Sequence, residues 1–390
     1  MRKYGVADAG RRVIRRLSAR LDADSLDFPL LPEDVADSHR PRALAEPPAR
    51  AAGPLEIGWV CTPPSPGSGG HTTLFRMIEA TEQRGHRSVL YLYDRHGGDM
   101  ARHERTLRDF WPGINAEVRD ARDGMAGMDA WVASSWESAH VVASRVAENV
   151  PRLYFVQDFE PYFHARGTLY ALAEDSYRFG FTNIALGELV QRELADRGID
   201  SVLAPFGCDT DMYTLENPDG PRSGVVYYTK PGSDRRGYLL GRLALEEFHR
   251  RHPLEPVHLY GDASDDWTIP TVQHHRLTPA ALNRLYNETK AGLAISFTNI
   301  TLVAEEMLAA GAIPVVTSAP YARDVLPNPN ALWADTTPGA LADALSAAVV
   351  RPLDAAARVA LAGSVRRGWQ PAKDAVVAAI ESAVLQHAGG

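Results

Sequence analysis

The sequence predicts an α/β protein with two doubly wound parallel-sheet domains facing a central cleft. Three observations predict it. Short apolar runs alternate with amphipathic helical stretches from residue 55 onward, which is the pattern of a parallel sheet covered on both faces. That alternation breaks once, in "FGCDTDMYTLENPDGPRSG" (206–224), and then restarts. The chain has 390 residues, too many for one compact core and suited to two ordinary domains.

Taken in order, residues 1–20 carry seven Arg or Lys against Asp8. Their local charge is +6, so the rest of this −8 chain sums to −14. An acidic body disfavours nucleic acid as a partner. Val6, Val13, Ile14, Leu17 and Leu21 share one side of a basic helix. Such a helix either lies on an anionic membrane surface or docks on its own protein. Residues 22–54, rich in Pro, Asp and Ala, read as a linker or a surface strap, so 1–54 forms an N-terminal segment.

In the first domain (55–220) the expected strands are 55–61, 88–94, 116–120, 128–134, 152–158, 183–187 and 201–205. Helices are expected at 71–84, 136–148, 167–178 and 188–198. In the second domain (221–368) strands are expected at 224–229, 256–261, 292–296, 312–318 and 331–335. Helices at 236–251, 279–289, 301–310, 338–349 and 353–366 alternate with them. A last helix, 371–387, closes the chain in a segment (369–390) expected to pack back on the first domain. Cys61 and Cys208 are the only cysteines, which excludes a disulfide framework and suits a reducing compartment. No apolar run is long enough to span a bilayer, and a cytoplasmic location is expected, with the inner membrane face reached through residues 1–20.

Two loops draw attention as ligand sites. "PPSPGSGGHTT" (63–73) leads into a helix and places Gly69, Gly70, His71 and Thr72 at its start. It fits neither the dinucleotide nor the P-loop spacing, which disfavours an NAD-dependent dehydrogenase. "AISFTNITLVAEEMLAAGAIPVV" (294–316) ends a buried strand in a polar loop and opens a helix. Free N–H groups at that helix start suit a diphosphate, with Asn299, Thr301 and Leu302 at its mouth. Glu306 lies five residues beyond Thr301.

That second stretch resembles the nucleotide-sugar site of glycosyltransferases with the GT-B fold, family four in particular. The resemblance implies two Rossmann-like domains and a nucleoside-diphosphate sugar as donor. Glu306, followed by Ala-Ala-Gly-Ala-Ile-Pro-Val-Val, matches the second glutamate of the family signature, which binds the donor ribose. The first glutamate, which contacts the donor sugar, falls at Thr298, where this chain departs from the pattern. "YYTKPGSDRRGYLLGRLALEEF" (227–248) resembles the family segment whose two cations reach the diphosphate. Lys230 matches the first, and Arg235 or Arg236 the second. His274, His275 and Arg276 match the segment beside the nucleobase. "YFVQDFEPYFHARGTLYALAEDSYRFGF" resembles a bacterial subgroup that includes rhamnosyltransferases building surface polysaccharides.

Gln157 and Asp158 follow a strand and would project at the cleft floor. Asp158 reads either as a turn cap or as a catalytic carboxylate, and His71 either as a helix cap or as a catalytic contact. Glu160, Tyr162 and Phe163 are acceptor candidates, although such aromatics equally serve a core. The resulting expectation is transfer of a sugar, rhamnose among the candidates, from a dTDP- or UDP-linked donor to a hydroxyl of a growing surface glycan or glycolipid. Retention of configuration, no metal and no cofactor are expected with it. A nucleotide-sugar 2-epimerase of the same fold and a non-catalytic nucleotide- or glycan-binding protein are the alternatives.

Overall fold

The computed structural model describes residues 28–46, 53–299, 302–365 and 368–389. The basic segment 1–20, Thr301 and part of the 22–54 linker fall outside that set. The first domain holds seven strands: β1 (Glu56–Cys61), β2 (Arg87–Leu92), β3 (Glu117–Asp120), β4 (Ala130–Ala133), β5 (Arg152–Val156), β6 (Thr182–Leu186) and β7 (Ser201–Ala204). They pair in parallel in the order β3-β2-β1-β4-β5-β6-β7. Both faces are buried, as a parallel sheet requires. Ile57, Trp59, Leu153 and Phe155 pack on one face, and Val60, Tyr154 and Val156 on the other.

The second domain repeats the plan with β8 (Val225–Thr229), β9 (Val257–Gly261), β10 (Val272–His275), β11 (Ala291–Ala294), β12 (Ile313–Thr317) and β13 (Leu332–Ala334). Their order is β10-β9-β8-β11-β12-β13, again all parallel. Each strand order reverses direction once, beside β1 and β4 and beside β8 and β11. Ligands of open α/β sheets bind outside the carboxyl ends of strands at such points.

Helices α1 (Gly69–Gln83), α2 (Met100–Phe110), α3 (Trp136–Arg145), α4 (Thr168–Ser176) and α5 (Glu188–Ala195) belong to the first domain. In the second lie α6 (Tyr238–Arg251), α7 (Pro279–Glu288), α8 (Leu302–Ala309), α9 (Ala322–Val325), α10 (Pro338–Val350) and α11 (Ala355–Ala362). The final helix, α12 (Gln370–Gly389), returns to the first domain. Its Ala372, Val376, Ile380 and Val384, spaced four apart, pack with Phe75, Ile78 and Leu186.

Helices α2 and α9 and strand β10 escape the sequence reading. Helix α2 fully buries only Leu107, with Met100 half-buried against the same cluster; Asp99 caps it by accepting the Arg102 N–H at 3.2 Å. Strand β10 is a short edge strand inside the segment matched to the nucleobase. The described part of the linker is a strap. Asp34, fully buried, takes Arg145 at 2.6 Å and the Tyr93 hydroxyl at 2.7 Å, and Ala45 pairs with Glu148.

The chain crosses between the domains twice, between β7 and β8 and between α11 and α12. The crossings touch, since the Gly368 N–H donates to the Cys208 carbonyl at 3.1 Å in an antiparallel bridge. A Cβ on Gly207 would fall 2.4 Å from the Gly368 carbonyl oxygen, so only glycine allows that approach.

Candidate functional site

The second domain supplies a cluster of cations at the carboxyl end of β8. Residues Asp234–Arg236 form one 3-10 turn, and Gly237 ends it in the left-handed region with φ 62°. A Cβ on Gly237 would sit 2.6 Å from Ile295 Cγ2. Glycine therefore seats the turn on the loop after β11, where the Phe297 N–H donates to the Arg235 carbonyl at 3.1 Å. Lys230, Arg235 and Arg236 are brought together there. Burial first, and then the neighbouring guanidinium groups, lower the pKa values of Lys230 and Arg236. Like charges held this close mark a seat for an anion.

A carboxylate from the other domain fills that seat. Asp158 follows β5, and its Oδ2 accepts the Thr298 hydroxyl at 2.8 Å while its Oδ1 accepts the Asn299 N–H at 2.7 Å. Arg235 Nη1 lies 3.7 Å from Oδ2, and its guanidinium rests over the Phe163 ring at 4.4 Å. Asn299 Nδ2 donates to the carbonyls of Gln157 at 3.1 Å and Leu186 at 3.2 Å. Burial raises the Asp158 pKa, while Arg235 and the Thr298 and Asn299 donors favour its charged form. The cleft is thus bridged by polar contacts at the mouth of α8. Leu302, the first residue of α8, packs against the apolar cluster under the first sheet.

Along α8, Glu306 lies among residues from three other elements. Burial, and next the Asp209 carboxylate, push its carboxyl up to about 8, against the pull of Arg76 and the Tyr286 hydroxyl. Arg76, from α1, forms an ion pair with Asp209 and stacks over Trp369 at 4.8 Å. The Tyr286 hydroxyl is in turn hydrogen-bonded to that of Tyr260 at 2.7 Å. Sequence reasoning missed Arg76 and Asp209. A cation on an apolar helix and an acid in a hinge loop gave no shared signal.

The first domain's other candidates fare differently. His71 is committed to its own loop: Nδ1 meets Ser68 Oγ at 2.8 Å and Nε2 the Thr62 carbonyl at 3.0 Å. Burial lowers its pKa, so the ring orders the loop and has no nitrogen left for a substrate. Thr72 likewise bonds the Ser68 carbonyl and the Trp111 indole. Gly69 borders open space, and a Cβ on Gly70 would lie 3.8 Å from Gln157 Oε1, so these glycines flank the cleft floor.

Glu160 is not an acceptor contact. It is buried beneath α3 and accepts the Trp136 N–H at 2.5 Å. Burial and then Glu137, another residue the sequence reading passed over, hold its pKa well above the carboxylate range. Tyr162 bonds Glu193 at 3.0 Å, and Phe163 is 37% exposed beneath Arg235. Of the nucleobase candidates, His274 is taken up by His258 at 2.9 Å, with the rings stacked. His275 and Arg276 are exposed at the end of β10. Among the described residues no helix is long and apolar enough to cross a membrane.

No protein-family model matches the chain. It is 31% identical over 395 residues to the O-antigen biosynthesis protein RfbC of Myxococcus xanthus, an alignment covering 94% of this chain and 30% of that protein. The chain thus spans less than a third of the length of the curated relative it matches. Among solved structures it is similar to TarM of S. aureus, a point mutant in complex with fondaparinux, alpha-GlcNAc-glycerol and UDP. The TM-score is 0.60 at 8% identity, over 85% of this chain and 99% of that one. A glycosyltransferase from Rickettsia africae gives 0.53 at 12% identity, over 86% and 97%. At such identities the likeness shows the fold, which is GT-B: two Rossmann-like parallel-sheet domains.

Proposed function

We propose that this chain is a glycosyltransferase that passes a sugar from a nucleoside diphosphate to a hydroxyl of a growing surface glycan. One observation carries the reading. Lys230, Arg235 and Arg236 cluster at the mouth of α8, and there Arg235, the Thr298 hydroxyl and the Asn299 N–H hold a carboxylate from the opposite domain. Carboxylate and phosphate oxygens ask the same donors for the same bonds. Asp158 therefore sits where a donor diphosphate would sit.

In this reading the three cations and the α8 start neutralise the departing diphosphate without a metal. Glu306 accepts the ribose hydroxyls. Displaced by the diphosphate, Asp158 faces the transferred sugar from the cleft floor beside Gln157, Gly69 and Gly70. The resembled family carries a glutamate where this chain has Thr298, and Asp158 brings a carboxylate to that place from the other domain. The name of the Myxococcus relative supports a surface polysaccharide as product, and the resembled subgroup supports rhamnose and retention of configuration.

A thermal-shift screen of UDP-, GDP-, dTDP- and ADP-sugars tests the reading. One nucleotide series should raise Tm in the wild type and leave Glu306→Ala unmoved. Asp158→Asn should keep that shift and lose turnover by on the order of tenfold or more. No response to any of the four sinks the proposal. Product formed from the donor alone would instead identify an epimerase.

A further inference from the structure

The second sheet has another cationic site at its opposite end. Arg222 precedes β8, Lys290 precedes β11 and Gly311 precedes β12, so all three lie at the amino ends of the strands, away from the cleft. With Arg351, Leu353 and Arg358 they line a cavity of about 250 Å³, and among the described residues no acidic one lines it.

Arg222 is 8% exposed, yet among the described residues no carboxylate is bonded to it. Its Nη1 donates to the carbonyls of Tyr286 at 2.9 Å and Thr289 at 3.1 Å. Nη2 donates to the Ala310 carbonyl at 2.7 Å and Asn287 Oδ1 at 3.4 Å, and Nε has no partner. Arg358, from α11, donates to the carbonyls of Pro218 at 3.2 Å and Gly220 at 2.8 Å, and its Nε is also bare. Lys290 is neutralised by Glu255, and Arg351 stands exposed at the rim.

Buried charges in folded proteins are paired. Here the buried Arg222 and the half-buried Arg358 line one cavity, and their bonded partners are uncharged carbonyl oxygens. Burial, and next the Arg358 charge, push Arg222 down to about 10. The unpartnered Nε–H groups of both guanidiniums and a rim cation around a half-open hollow suit an anion that accepts bonds in several directions.

We infer that the Arg222–Arg358 cavity binds a phosphate-group anion, as a site separate from the cleft. Helix α8 joins the two places. Its start faces the cleft, and its end offers the Ala310 carbonyl to Arg222.

Calorimetric titration of the whole chain with inorganic phosphate, at constant ionic strength against chloride, tests the inference. One saturable site is expected in the wild type and also in Lys230→Ala/Arg235→Ala, which disables the cleft. Arg358→Gln and the rim variant Arg351→Glu should each weaken it about tenfold or more, with far-UV circular dichroism showing that they fold. Glycerol 3-phosphate as a second titrant separates the sources. Tighter binding than phosphate assigns an organic phosphate, and weaker binding assigns the free ion. Loss of binding in Lys230→Ala/Arg235→Ala would place the anion in the cleft and overturn the inference. So would unchanged binding in both Arg351→Glu and Arg358→Gln, or no saturable binding at all.

Discussion

At Glu306 a single proton links burial to the proposed ligand. Its carboxyl titrates near 8 in the fold, against 4.5 ordinarily. Between those values the native chain keeps a proton that the unfolded chain releases, so this group's contribution to stability falls as pH rises through the window. Ribose hydroxyls need the charged acceptor, so donor affinity should rise over the upper part of the same window. Glu306→Gln should flatten both slopes. Nucleotide titrations and thermal melts at stepped pH would show it, and identical slopes in the two proteins would remove the assignment. This residue was legible because its motif is local. Arg76 and Asp209, which help set its proton affinity, were not, because they meet 133 residues apart in the chain. Glu160 was misread for the opposite reason. It is close to Asp158 in sequence, but the backbone enters a 3-10 turn at Glu160 and carries that carboxyl inward.

Among the elements, the turn Asp234–Arg236 shows how a backbone conformation sets an ion site. Gly237→Ala meets both a left-handed φ and Ile295 at 2.6 Å. It should cost about 1–3 kcal/mol, read as a Tm several degrees lower, and should weaken nucleotide binding by moving Arg235. Gly232→Ala, where a Cβ meets nothing within 4 Å, is the control and should melt close to wild type. A Gly237→Ala protein that melts and binds like the control would end the account. Strands such as Glu56–Cys61 and Ile313–Thr317 were readable as continuous apolar runs, because both faces of a parallel sheet are covered. Helix α2 was not read because most of its residues are polar and its core contact is carried by Leu107 and Met100 alone.

For the molecule as a whole, the break at 206–224 announced two sheets, but no composition shift could show that the empty seat of one domain holds a carboxylate of the other. The charge imbalance makes a separate prediction. We propose that residues 1–20 place the acidic body on anionic lipid, so their deletion should abolish co-sedimentation with phosphatidylglycerol vesicles. Binding that survives the deletion would exclude them as the anchor. The clasp between Cys208 and Gly368 bears on motion. Two covalent crossings tied at one point give the halves a shared pivot, so separating the domains there would have to break the tie. Displacement of the Asp158 carboxylate by the proposed donor should then turn the halves about that pivot, and a cross-link on the far lip of the cleft should block it.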